Sequence, residues 1–456
     1  MRRRLEYKKT EEHIMTDRDR APETAPLTLA LSVWGVGVAL YFIGFFHRVA
    51  PAVITRELAT EFGLSAAALG HLSAFYFYSY VAIQVPTGVL VDRFGPRRIL
   101  TLGAITAAAG GLLFAGAASF ALVAAGRLLV GAAVGVAFVA LMKLSTHWFP
   151  PSRFATVAGL ALATGLVGAV TAGAPLRWLA DAFGWRGVML ALAGITGVLA
   201  ILIWIVVRDD PEQRGYASFL PQPHAGKAAH SMLDGLRRVL RMRNVWLIFV
   251  VNGSVTAPIL TFGGLWGVPF LTAHYNVSTA SAAGLCSLML LAWGVGGPVT
   301  GALSDRLKTR KPLYAAGAML TAVGCAVLFL IPGLPLAALG ALLVIIGFAA
   351  GVIMIGFAYA KESAPAALAG TTGGVSNMGN MTGGMLMQPA VGWALDRAWD
   401  GALADGARVY AFSAYRSGFA LMLALLAAAV LLALLTRETH CRQHQDRGSR
   451  IEDSSA

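Results

Sequence analysis

The sequence predicts an all-α integral membrane protein in which twelve transmembrane helices form two pseudo-symmetric six-helix bundles. Three observations lead to this fold class. Hydrophobic residues make up 57% of the 456 residues and charged residues only 13%, whereas about 25% of an ordinary soluble domain is charged. Twelve apolar runs approach the roughly 20 residues that a helix needs to cross a bilayer. A charged hairpin between two of these runs returns in weaker form half a chain later.

The apolar runs divide the chain into segments in a regular order. In chain order they lie near residues 28–50, 68–91, 98–118, 121–143, 154–177, 186–207, 244–270, 281–303, 313–331, 335–359, 371–395 and 413–436. The predicted segments are a disordered tail (1–26), an N-terminal bundle (27–207), a polar linker (208–243), a C-terminal bundle (244–436) and a second tail (437–456). Two parallel six-helix repeats are the internal symmetry of one class of transporters.

The charged hairpin joins the second and third runs. It carries Gly88, Asp92, Arg93, Gly95, Arg97 and Arg98, and its weaker copy between the eighth and ninth runs carries Asp305 and Arg306. Small residues let helix ends approach closely. An acid can face the positive N-terminus of a helix. The hairpin is therefore a candidate gating element.

Basic residues are distributed unevenly across the predicted membrane. Of the 36 Lys and Arg, only six lie in loops on one side and two inside runs, while the other 28 lie in the tails, the linker and the loops of the other side. The positive-inside rule then places both termini in the cytoplasm, with the protein in the plasma membrane. The net charge of +13 is thus interpreted as a topology signal with contacts to membrane lipid, not as a nucleic-acid surface.

Small residues recur at four-residue spacing in two runs. These are Gly131 with Gly135 and Gly347 with Gly351. The spacing predicts faces on which two helices pack closely.

Two arginines, Arg48 and Arg127, lie within predicted spans. An arginine in mid-bilayer costs about 2.5–3.5 kcal/mol on insertion scales, so such residues usually face a cavity. Both lie at a similar depth, roughly 10 Å below the outer surface. Two guanidinium groups at one level suit a carboxylate. The alternative is that each reaches the outer interface or bonds to carbonyl groups.

Other polar residues within the spans extend this candidate site. Tyr76, Tyr80 and Gln84 are four residues apart and form one polar stripe. All 23 Asp and Glu lie outside the span interiors. His47, next to Arg48, is then the candidate proton-coupling residue. A hydrogen-bonded structural histidine is the alternative, and without an acid an exchanger or facilitator stays open.

The residues around the hairpin resemble a known family, the major facilitator superfamily. The resemblance covers roughly residues 28–436, and the hairpin is its most specific motif. The first half is similar to the anion:cation symporter branch. The similar segments are Tyr41 with His47-Arg48, Gly70 through Phe77-Tyr78-Ser79-Tyr80 to Gln84-Val85-Pro86-Thr87-Gly88, Arg127–Gly131, Trp148-Phe149-Pro150 and Gly184-Trp185-Arg186. This chain has His47 and Val134 where that branch often has acids.

The resemblance implies roles for several residues. The spans that carry Asn377 and Asn380 line the central cavity in this superfamily, so their amides are candidate substrate ligands with Arg48, Arg127, Tyr76 and Tyr80. Tyr80 matches a cavity tyrosine of the branch. In the family fold, Asp92 meets the N-terminus of span eleven near Thr371 and steadies the outward-open state.

Together these features predict a secondary transporter that takes up a small organic anion or amino-acid-like solute, coupled to protons, by alternating access. An obligate anion exchanger or facilitator and a multidrug efflux carrier are the alternatives. No catalytic or metal-binding motif is present, so we expect neither an enzyme nor a cofactor or metal site. The expected partners are the solute, membrane lipid and H⁺, and the expected state is a monomer.

Overall fold

The computed structural model describes residues 24–219, 232–365, 368–404 and 406–443. Within these residues eleven helical stretches are long and apolar enough to cross a membrane. A further helix of 29 residues, Ala369–Arg397, contains several glycines and amides and is less apolar. The predicted all-α fold class is confirmed, and these twelve stretches match the predicted order of spans.

The N-terminal bundle contains seven helices. They are α1 (Leu27–Val53), α2 (Thr55–Phe62), α3 (Ala66–Gly116), α4 (Phe120–Trp148), α5 (Phe154–Thr171), α6 (Ala174–Phe183) and α7 (Trp185–Val206). Helix α3 holds two predicted spans, which meet at Gly95, where φ is +79°. Pro96 follows and starts the second half, because proline suits the first turn of a helix.

The linker contributes α8 (Met232–Val239), and the C-terminal bundle follows. Its helices are α9 (Arg243–Pro258), α10 (Gly267–Tyr275), α11 (Thr279–Leu307), α12 (Lys311–Leu330), α13 (Leu336–Ala350), α14 (Ile353–Glu362), α15 (Ala369–Arg397) and α16 (Phe412–Leu434). A π-helical segment, Ile259–Trp266, joins α9 to α10. A short hairpin of β1 (Leu403–Ala404) and β2 (Ala407–Arg408) precedes α16.

Two predicted spans differ in detail from the helices. The sequence predicts a fifth span that extends to residue 177, but α5 ends at Thr171 and a separate helix, α6, begins at Ala174 with Pro175 in its first turn. The proline ring suits the start of a helix and breaks its interior. The tenth run is divided between α13 and α14.

Glycines form close contacts between helices. A Cβ atom at Gly131 of α4 would lie 2.1 Å from the carbonyl oxygen of Tyr76 in α3, and one at Gly347 of α13 would lie 2.1 Å from that of Met289 in α11. Only glycine permits such an approach of two backbones. Both predicted small-residue faces are therefore packing seams.

The two bundles meet unevenly. We call the end with the hairpin 88–98 the basic end and the other the opposite end. At the opposite end, the Asp396 carboxylate of α15 accepts hydrogen bonds from the backbone N–H groups of Ala66 and Ala67, at 3.0 and 2.8 Å. At the basic end, no hydrogen bond or ion pair joins the bundles within the described residues. The molecule is therefore closed at the opposite end.

The predicted tails and linker lie partly outside the described residues, which omit 1–23, 220–231 and 444–456. Thr24, in the tail predicted to be disordered, forms a β-bridge with Ala217 of the linker. Helix α8 lies against the start of α15, where a Cβ at Gly235 would be 3.6 Å from the Thr371 hydroxyl oxygen.

Candidate functional site

Arg48 lies on α1 among aromatic rings and is only 4% exposed. Its guanidinium carbon is 4.1 Å from the ring centre of Phe45, and 5.7 and 5.8 Å from those of Tyr76 and Tyr80. These distances suit cation–π attraction. The Nε–H of Arg48 has no hydrogen-bond partner within the described residues. Arg48 therefore keeps a donor for an anion.

Arg127 on α4 is also buried, but its two terminal nitrogens are occupied. Nη1 donates to the carbonyl oxygen of His47 at 2.5 Å, and Nη2 donates to that of Ser73 at 3.1 Å. These bonds tie α4 to α1 and α3. The structure does bring both arginines to Tyr76, whose ring centre lies 5.2 Å from the guanidinium carbon of Arg127. In this conformation Arg127 acts as a brace.

The two predicted cavity tyrosines stack on each other. The ring centres of Tyr76 and Tyr80 are 6.1 Å apart, with an angle of 22° between the rings. The Tyr76 hydroxyl donates to the carbonyl oxygen of Gly44 at 3.2 Å. The Tyr80 hydroxyl accepts from Nδ2 of Asn377 at 3.3 Å. This last bond joins the N-terminal and C-terminal bundles in mid-membrane.

The C-terminal bundle contributes uncommitted polar atoms. Asn380 is buried, its backbone carbonyl accepts from Thr256 at 2.7 Å, and its side-chain Oδ1 has no partner among the described residues. Oε1 of Gln388 and Oγ1 of Thr261 are likewise without partners in the described part of the chain. A buried polar atom without a hydrogen bond costs about 1–3 kcal/mol. These acceptors are suited to donors on a solute.

His47 lies inside the N-terminal bundle. It is 3% exposed, and its Cε1 is 4.0 Å from the Cβ position of Gly111 in α3. Its Nε2 has no partner within the described residues. The nearby Val134 packs directly on Gly44. An apolar contact therefore fills a position that is often acidic in the resembled branch.

The hairpin residues contact their own bundle and the linker. Asp92 is exposed and accepts from Lys143 of α4 at 2.8 Å. The Asp209 carboxylate lies against Gly95 and accepts from the backbone N–H of Arg97 at 2.6 Å. The Arg97 side chain donates to the carbonyl oxygen of Trp204. Gly88 faces open space, and Arg93 lies near the Phe94 ring.

The second copy of the hairpin centres on a residue that the sequence analysis missed. Arg310 donates to Asp305 at 2.7 Å and to Glu362 at 2.6 Å. Burial lowers the pKa of Arg310, but the two carboxylates outweigh burial, so the pKa lies above its ordinary value. Arg306 and Arg98 are exposed.

Phe45, Lys143 and Asp209 were missed as well. Phe45 precedes Arg48 by three residues and so shares its helical face, which is a usable signal. The pairing of Lys143 with Asp92 and of Asp209 with the hairpin depends on the packing of separate helices. No spacing in the sequence indicates it.

Two helical bundles that enclose buried polar groups in mid-membrane define a membrane transporter. The chain belongs to the Major Facilitator Superfamily, whose family model matches residues 33–388.

Three of its relatives are named as transporters of organic acids. A probable sulfoacetate transporter of Cupriavidus necator is 23% identical over 66% of this chain and 71% of its own length. A probable galactarate/D-glucarate transporter of Bacillus subtilis is 25% identical over 58% and 62%, and a D-galactonate transporter of Escherichia coli is 25% identical over 63% and 69%. A bacterial homologue of the human lysosomal transporter Spinster, in an inward-facing, unoccupied conformation, shares the fold, with a TM-score of 0.72, 19% identity and coverage of 90% of this chain and 98% of that chain.

Proposed function

We propose that this protein moves a small organic anion across the membrane by alternating access of its central cavity. The observation that carries this proposal is Arg48, a buried cation that packs against three aromatic rings, has no acidic partner within the described residues and has an Nε–H without a hydrogen-bond partner there. The acid substrates in the names of the relatives support it. The unpaired acceptor atom of Asn380 suits a hydroxyl group on the same solute.

The orientation follows from charge. The basic end faces the cytoplasm, both termini are cytoplasmic, and the membrane is the plasma membrane. Residues 27–207 and 244–436 are the two moving bundles of a monomer. The contacts at the opposite end then belong to an inward-facing state.

Uptake of labelled solutes into proteoliposomes tests the proposal. The panel contains sulfonates, sugar acids, amino acids, and neutral and cationic analogues of each. We expect saturable uptake of one or more anions and little uptake of the neutral analogues. Uptake that is confined to a cation or an uncharged apolar compound would contradict the proposal.

For the coupling ion we propose H⁺, with His47 as the titrating group. A bound anion reduces the repulsion between a protonated His47 and the neighbouring arginines, so solute and proton bind with positive coupling. His47→Gln should abolish acceleration by an inward pH gradient and preserve exchange of solute across the membrane. Retained acceleration in the variant would exclude His47.

Obligate exchange is the second candidate. The His47 ring lies inside the N-terminal bundle, beside Gly111, and this position favours exchange without a coupled proton. The same assay separates the two, because an exchanger needs solute on both sides and is indifferent to a pH gradient in the wild type.

For the hairpin we propose that Asp92 stabilises the outward-open state by meeting the N-terminus of α15. In the described conformation it pairs with Lys143 instead. Asp92→Asn should lower transport strongly and leave membrane insertion intact. Near-normal transport would remove the gating role.

A further inference from the structure

A cavity of about 850 Å³ opens at the basic end of the C-terminal bundle. It lies between the start of α9, the end of α14 and the residues that follow α16. Its lining includes the basic residues Arg243, Arg437 and Arg442 and the apolar residues Met242, Leu247 and Leu435. The cavity is distant in the chain and in the fold from Arg48, and the proposed transport cycle makes no use of it.

The acidic residues of this lining are already engaged. Glu362 pairs with Arg310 at 2.6 Å. Glu438 accepts from the backbone N–H groups of Arg310 and Lys311 at 2.9 and 2.8 Å. Burial raises the pKa of Glu438, but these and neighbouring backbone hydrogen bonds outweigh it and hold the pKa below its ordinary value. Glu438 thus remains a bound carboxylate that stabilises the start of α12.

The three arginines, in contrast, have no charged partner in the part of the chain that the structure describes. The side chains of Arg243, Arg437 and Arg442 make no hydrogen bond or ion pair within the described residues, although the backbone of Arg437 is fixed by Asn244. An excess of positive charge therefore lines a concave surface.

The depth of the cavity indicates the source of its ligand. It lies where α16 ends and α9 begins, which is the level of the membrane surface for these helices. Trp246, 42% exposed on the first turns of α9, marks the same level, because tryptophan is enriched at membrane interfaces. Basic side chains above an apolar wall match a phosphate above acyl chains.

We propose that this cavity binds the headgroup of an anionic phospholipid from the surrounding membrane. The guanidinium groups of Arg243, Arg437 and Arg442 hold the phosphate, since their planar donors match its oxygens. Leu247 and Leu435 contact the glycerol and the upper acyl chains. The lipid then links the start of α9 to the segment after α16. This proposal does not depend on the identity of the transported solute.

Thermal unfolding of the full-length protein in neutral detergent tests it, with native mass spectrometry to count bound lipids. The probes are short-chain phosphatidylglycerol, short-chain phosphatidylcholine and inorganic phosphate. We expect phosphatidylglycerol alone to raise the unfolding midpoint, by roughly 2–6 °C near saturation. The combined variant Arg243→Gln, Arg437→Gln, Arg442→Gln should lose at least half of this shift and of the bound lipid.

Arg153→Gln is the matched control, an exposed arginine at the basic end of the other bundle. It should keep the full shift. If the combined variant fails to fold, Arg437→Gln and Arg442→Gln are measured singly, and each should weaken lipid binding. An equal shift with phosphatidylcholine or with inorganic phosphate, or a full shift in the arginine variants, would overturn the proposal.

Discussion

At the scale of single residues, Arg48 and Arg127 show how one residue type takes two roles. Burial of a guanidinium group is costly unless other groups replace its hydration. For Arg127 the carbonyl groups of His47 and Ser73 do so, through both of its terminal nitrogens. For Arg48 three aromatic rings do so. The Nε–H of each arginine has no partner within the described residues, so the two differ in whether carbonyl groups or rings surround the rest of the guanidinium. The two residues should therefore respond differently to substitution.

We expect Arg48→Lys to lower transport by about tenfold or more, because lysine keeps the charge but loses the planar set of donors. Its unfolding midpoint should stay near that of the wild type. Arg127→Gln should instead lower the midpoint, since two buried carbonyl oxygens lose partners, at about 1–3 kcal/mol each. Proteoliposome uptake and thermal unfolding of both variants provide the measurement. The reverse pattern would refute this division of roles.

Asp210 of the linker gives a pH-dependent prediction. Burial raises its pKa, but hydrogen bonds from the Glu212 backbone and from Ser218, together with His147 at 2.6 Å, hold the pKa below its ordinary value. A carboxyl group with a depressed folded pKa stabilises the fold above its unfolded pKa of about 3.9 and stops doing so as the pH falls through the folded value.

Asp210→Asn should therefore lower the free energy of unfolding by about 1 kcal/mol at pH 7. The difference from the wild type should shrink on acidification, as the pH falls through the folded pKa of Asp210. Unfolding midpoints across this pH range are the measurement. A difference that grows on acidification would show that the sign is wrong.

At the scale of helices, contact between glycine backbones sets the position of the site. The seam at Gly131 brings α4 against α3 at Tyr76. The same contact brings Arg127 of α4 to the Tyr76 ring, to which Arg48 of α1 also lies close. Helix packing and the site are therefore coupled.

Gly131→Ala should destabilise the protein by about 1–3 kcal/mol, because the added Cβ meets backbone that cannot rotate away. It should also reduce transport, since Tyr76 must shift. Gly159→Ala on α5 is the control, as its Cβ would meet nothing within 4 Å, and alanine improves helix propensity. Thermal unfolding and uptake test both variants. Equal behaviour of the two would contradict a role for the seam.

At the scale of the whole molecule, an acid at the end of one helix meets the N-terminus of another across the bundles. Asp396 at the end of α15 accepts from the first amides of α3 at the opposite end. The proposed outward-open contact is its counterpart at the basic end, with Asp92 of α3 at the start of α15. Helices α3 and α15 would then close the opposite end in the inward-facing state and the basic end in the outward-open state.

Asp396→Asn should weaken the closure at the opposite end and shift the population towards the outward-open state, because an amide loses the charge that favours a helix N-terminus. Ser73→Cys in a background without the native cysteines reports this shift, since Ser73 is fully buried in the described state. Labelling from outside by an impermeant maleimide should become faster. An unchanged labelling rate would show that Asp396 does not hold this closure.

The sequence alone determined the membrane class, the order of the spans, the glycine seams and the candidate polar residues. Each of these features follows from local composition or from the spacing of residues along one helix, as for Gly131 and Gly135. The resemblance supplied the family. Neither the sequence nor the resemblance indicates which partner each polar side chain binds.

Only the tertiary structure decided that Arg127 braces three helices, that Arg48 faces aromatic rings, that the His47 ring lies beside Gly111 and that Asp209 holds the hairpin. The reason is physical. In an apolar environment a buried polar group needs a hydrogen-bond partner. The partners of these groups lie on helices that are distant in sequence. Helix rotation and bundle packing select among them, and neither is encoded by the spacing of residues on a single span.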